Sequence, residues 1–149
     1  MADGLEDFQK FRADLNEEIL GCSHLGRKRF FALDHQACEP GPLGIKIKEL
    51  LGLVASAVLR CDDCITCHLV RCGEVGPKRD EAIDALNVAL IVGGALTIPR
   101  VRRAFARMRE VKGLKTQPDR PGVLVGDTKI GRAHVCTPVT VKSRMPSSA

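Results

Sequence analysis

"KELLGLVASAVLRCDDCITCHLVRC" (residues 48–72) sets one acid inside an apolar helical run and follows it with four cysteines and a histidine. Two redox signatures overlap in it. One is Cys61-x-x-Cys64-x-x-x-His68, a dithiol with a histidine one helical turn beyond; the other is Cys64-x-x-Cys67-His68, the pattern of covalent haem attachment. On a helix, residues 61, 64, 68 and 72 share one face, and Cys67 points about a quarter-turn away from it. If the helix begins near Cys61, both thiols of the first pair lie in its first turn, where unpaired N–H groups and the macrodipole favour thiolate. His68 follows Cys64 by four residues, close enough to exchange a proton with it directly or through one water. A low-pKa thiol beside a resolving thiol and a base is the arrangement needed to reduce a peroxide or a disulfide.

The flanking sequence reads as helices. Leu5, Phe8, Leu15 and Ile19 recur at helical spacing over residues 5–20, and Gly21 is a plausible stop. "CSHLGRKR" (22–29) reads as a loop, and "FFALDHQAC" (30–38) as a short helix ended by the Pro- and Gly-rich "EPGPLG". Residues 45–60 are apolar nearly all round, which predicts a helix buried in a bundle and continued by the cysteine segment to about Cys72. Further helices are predicted over 80–92, opened by acids, and over 98–111, with Pro99 near its first turn. Gly93-Gly94 reads as a bend or a close helix contact, since no strand precedes it and no lysine follows to make a phosphate loop. No strand and no internal repeat is apparent.

At 149 residues the chain is expected to be one domain. With five Phe, no Tyr and no Trp, Leu, Val, Ile and Ala must fill the core, which suits packed helices. No apolar run reads as long enough to span a bilayer, and the acidic N-terminus is unlike a secretory signal. We therefore expect no membrane partner and a cytoplasmic location or an organelle matrix. Net charge is +5, but Arg132, Lys142 and Arg144 contribute three of those charges, leaving +2, so nucleic acid is not an expected partner.

Residues 130–149, "IGRAHVCTPVTVKSRMPSSA", match codon for codon the translation of a common sequencing-library adapter. They are read as foreign to the native protein and excluded from fold reasoning. Cys136 falls where that frame meets TGA, which leaves a variant code or a selenocysteine codon written as Cys as alternatives. Residues 114–129 read as extended or disordered, and residues 1–29 as an N-terminal helix and loop ahead of a domain over 30–113.

The run from Phe30 to Phe105 resembles the carboxymuconolactone decarboxylase and alkyl hydroperoxidase D family. The matching pieces are "FFALDHQACEPGPLGIKIKELLGLVASAVLRCDDCITCHLVRCGEVG" and "EAIDALNVALIVGG". The peroxidase branch of that family places a glutamate twelve residues before its CxxCxxxH, and Glu49 stands twelve residues before Cys61. The resemblance implies an all-α, AhpD-like helical bundle that assembles as a homotrimer or homohexamer and needs no cofactor. It implies a thiol-dependent peroxidase in which Cys64 attacks a hydroperoxide, Cys61 resolves, His68 is the base and Glu49 orients it. A dithiol protein or small thiol would then restore the reduced pair. Some members carry a histidine between the two cysteines, where this chain has Asp62 and Asp63. Two carboxylates there would tend to raise the thiol pKa values, against the helix dipole.

Other readings compete. Haem attachment needs a second axial ligand, and Met108 is the only methionine between Met1 and the tail. Zinc could be held by Cys61, Cys64, His68 and Cys72, although four ligands on one helix staple nothing together. A redox sensor or scaffold of the same fold would use the pair without turnover. Cys22, Cys38, Cys67 and Cys72 read as small core residues, His24 and His35 as loop and surface residues. The arginines of "PRVRRAFARMR" read as a solvated face or a subunit contact.

Overall fold

The computed structural model describes residues 4–22 and 24–114, and the expectations for 115–149 lie outside those residues. Six helices follow in order: α1 Leu5–Gly21, α2 Leu25–Cys38, α3 Ile45–Val58, α4 Asp62–Val75, α5 Arg79–Gly93 and α6 Ile98–Met108. A 3₁₀ turn, Gly94–Thr97, joins the last two, and no strand occurs among the described residues, so the fold is all-α.

The core is formed by one face from each of four helices. Leu53 and Ala57 of α3, Leu69 and Cys72 of α4, Leu86 and Ala89 of α5, and Ala104 and Met108 of α6 are fully buried together. Val111 and Leu114 close this cluster, so the packed unit reaches one residue past the boundary expected at 113. Gly73 is what lets that closing turn approach: a Cβ there would lie 2.5 Å from Val111 Cγ1. Arg79 ties the same turn to α5, donating to the Leu114 carbonyl at 2.8 Å and stacking over Phe105.

Three expectations are corrected. The loop expected over 22–29 is helical from Leu25 onward, because Gly26 falls in the first turn of α2, where a glycine does not stop a helix, and the next proline is Pro40. Helices α3 and α4 are separate, not continuous. Arg60 takes a left-handed φ of 63°, its N–H bonds the Ala57 carbonyl at 3.2 Å, and Cys61 N–H bonds the Ser56 carbonyl at 3.0 Å. That is a Schellman stop with arginine in the position glycine usually fills. Nor is α3 buried all round: Ile47 and Leu51 are about half exposed on the face turned from the core.

The continuous helical run Arg79–Met108 contains an 18-residue window of mean hydropathy 1.7, long and apolar enough by composition to cross a membrane. The sequence expectation missed it because Gly93-Gly94 looked like an interruption. In the fold the run does bend there, at Gly94 (φ 65°) and the 3₁₀ turn. Ala82, Leu86 and Ala89 face the core, while Ile91 (85 % exposed), Val92 and Leu96 point outward.

Candidate active site

Cys61 has two structural duties. It ends the α3 stop and is also the N-cap of α4, its Sγ accepting the Cys64 N–H at 3.3 Å. The cap fixes Asp62, Asp63 and Cys64 as the first turn of α4, so both thiols stand where helix N–H groups point outward. Cys61 and Cys64 are joined as a disulfide, with Cα atoms 5.3 Å apart. Cys61 is half-buried and Cys64 is exposed.

One turn further along α4, His68 turns toward α3. Its Nδ1 lies 2.8 Å from Glu49 Oε2, and Glu49 is only 2 % exposed. A carboxylate so buried needs a partner, and the imidazole supplies it. The bond also orients the ring, leaving Nε2 as the nitrogen available for proton transfer. Two further residues shape this pair, neither of them singled out by sequence. Gly52 stands one turn after Glu49, and a Cβ there would sit 2.6 Å from His68 Nε2, so only glycine leaves room for the ring. Arg71, three residues after His68, places its Nε 3.9 Å from Glu49 Oε1 and bonds Glu74 at 2.5 Å. The spacings from Glu49 to Gly52 and from His68 to Arg71 are the helical-face signals that would have found them.

The acidic pair inside the motif also has partners. Arg100 Nη1 donates to Asp62 Oδ2 at 2.5 Å, and Arg103 Nη1 donates to the same oxygen. Asp62 Oδ1 is buried with no hydrogen-bond partner. These arginines lie 38 and 41 residues away in sequence, which is why the motif alone did not reveal them. Of the α6 arginines read as a solvated face or a subunit contact, Arg103 is exposed and Arg100 is partly buried, and both pair with Asp62.

The remaining cysteines divide. Cys72 is fully buried, and burial, with the Glu49 charge adding to it, pushes its thiol up to about 12. Burial likewise raises Cys67, with Asp63 and Asp34 acting the same way and Arg12 opposing them. Desolvation and the Glu49 charge raise Cys38, so none of the three is primed as a thiolate. Cys22 is exposed, which corrects its reading as a core residue. His24 and His35 lie on the surface. Met108, the candidate axial ligand, is packed in the core. Among the described residues no group of three or more His, Cys, Asp and Glu side chains is placed to hold a metal ion, and two of the four residues read as zinc ligands are joined as a disulfide.

The site is thus a Cys61–Cys64 disulfide at the N-terminus of α4, backed by the buried Glu49–His68 pair, in an all-α bundle. The carboxymuconolactone decarboxylase family model matches residues 26–110, and the chain belongs to that family. A crystal structure from Thermotoga maritima is 50 % identical, covers 70 % of this chain and 92 % of its own, and superposes with a TM-score of 0.69. A second Thermotoga maritima structure, a carboxymuconolactone decarboxylase family protein for which a role in the antioxidative response has been suggested, is also 50 % identical. It covers 69 % of this chain and 87 % of its own, with a TM-score of 0.67. An apo family protein from Legionella pneumophila shares the fold at 23 % identity, covering 74 % of this chain and 89 % of its own (TM-score 0.54). No curated protein matches the chain significantly.

Proposed function

We propose that the protein is a thiol-dependent peroxidase of the antioxidant type. Cys64 thiolate attacks the terminal oxygen of a hydroperoxide, the O–O bond breaks, and the alkoxide leaves with a proton from His68. Cys64 becomes a sulfenic acid. Cys61 thiolate then attacks that sulfur, hydroxide leaves as water with a second proton, and the disulfide closes. An external dithiol returns two electrons and two protons. Cys64 is assigned the first attack because it is exposed, and Cys61 the second because it is half-buried and caps the helix. Glu49 keeps the imidazole oriented and able to cycle its proton, a role in which general acid–base catalysis typically contributes 10²–10⁴-fold.

The observation that carries this reading is the Glu49–His68 bond, buried at one end and open at the other, one turn past an exposed cysteine already at disulfide distance from its neighbour. A merely structural disulfide would not need a buried carboxylate to orient a histidine beside it. The suggested antioxidative role of the Thermotoga protein is in keeping with the reading. The outward apolar residues Ile91, Val92 and Leu96 support assembly as a homotrimer or homohexamer, in which a neighbouring copy covers them. Hydroperoxide consumption driven by a dithiol reductant tests the proposal, with wild type compared to Cys64→Ser. Wild-type turnover no faster than the variant would reject the activity.

A further inference from the structure

We propose that Arg100 and Arg103 are positioning residues for the dithiol: bound to Asp62, they offset the acidic pair inside the motif and leave the helix N-terminus free to favour thiolate at Cys61 and Cys64. The inference rests on reading the pair as redox-active, but not on peroxide being its substrate.

Asp62 and Asp63 occupy the first turn of α4 between the two cysteines. Acids there suit the helix dipole but oppose a second negative charge on sulfur a residue away. Two guanidinium groups converge on Asp62 Oδ2, so two positive charges stand against the two carboxylates. Their aim is selective. Arg102, between them in sequence, instead lines an apolar groove with Leu90, Ile98 and Phe105. Helix α6 is held for this purpose by Ala104 and Met108, both fully buried in the core. Charges from other elements also bear on the turn. His68 stands on α4 with Glu49 of α3, Arg60 precedes the motif, and Arg12 of α1 and Asp34 of α2 act on Cys67. All of these stay constant in the comparison below.

The test needs no peroxide. The full-length protein is reduced and then alkylated with iodoacetamide at low salt across a pH series. Tandem mass spectrometry of the tryptic peptide 61–71 assigns each rate to Cys61, Cys64 or Cys67. Arg100→Gln/Arg103→Gln should slow the dithiol at neutral pH about three- to tenfold and move its pH midpoint upward. Adding Asp62→Asn to that variant should recover at least half of the loss on a logarithmic scale. Arg100→Lys/Arg103→Lys should stay within about twofold of wild type, since charge rather than fork geometry acts. A combined variant as slow as the arginine double variant would show that the contact is only a structural clamp and overturn the proposal, as would an unmoved midpoint. If the double variant does not fold by circular dichroism, Asp63→Asn decides. This exposed change should speed alkylation about twofold, and less at high salt; no increase overturns the offset. Normal alkylation profiles in a protein without peroxide turnover would keep this inference and remove only peroxide as the substrate.

Discussion

The two ends of α4 carry the same residue type and opposite chemistry. At the N-terminal end Cys64 is exposed, lies in the turn that Cys61 caps, and has its acidic neighbour Asp62 tied to two arginines. Eight residues later Cys72 shares the helix face but is fully buried in the core cluster, its thiol pushed up to about 12. The first turn of a helix exposes N–H groups to water, whereas the core-facing side of a later turn meets apolar packing. The surroundings of a cysteine here follow from where along the helix it falls, not from its membership of a cysteine cluster.

Exchanging properties between the two ends breaks that comparison. Cys64→Ser should reduce peroxide turnover to the background of the free dithiol, whereas Cys72→Ala should keep turnover within about twofold in the same assay. Leu69→Ala, at a fully buried side chain between the two ends, should cost about 2–5 kcal/mol in urea-induced unfolding. Glu49→Gln should keep the fold but lower turnover about 10–100-fold, and should alter the pH profile rather than KM for peroxide. Gly52→Ala should push His68 off Glu49 and lower turnover about tenfold, with about 1–3 kcal/mol of lost stability from overpacking.

The smallest effect concerns pH. Because the folded state holds the Cys72 thiol well above its unfolded value, the protonated form stabilises the fold. That contribution is complete below about pH 9 and is lost as pH rises toward about 12. Cys72→Ala should therefore flatten the alkaline decline of the melting temperature across that window, relative to wild type.

What the sequence could disclose follows from distance along the chain. Cys61, Cys64 and His68 lie within eight residues, so their spacing pointed to a thiol chemistry, and the family resemblance added Glu49. The helices were legible from apolar period and from breakers such as Pro40 and Gly76. The stop at Arg60 was not, because no glycine marks it and a non-glycine residue rarely takes the left-handed conformation. Gly52 was not singled out, since the atom it makes room for belongs to another helix. The arginine contacts to Asp62 depend on how α6 crosses α4, a tertiary fact that no local pattern encodes.

The central claim is that Cys64 is the sulfur that peroxide oxidises. Cys61→Ser removes the resolving thiol, so one equivalent of hydroperoxide should leave Cys64 as a sulfenic acid that dimedone traps. Intact-mass and peptide mapping should find the adduct on Cys64 at close to full stoichiometry, and Glu49→Gln in that background should slow its formation. An adduct spread over Cys22, Cys38 and Cys67, or none on Cys64, would contradict the account.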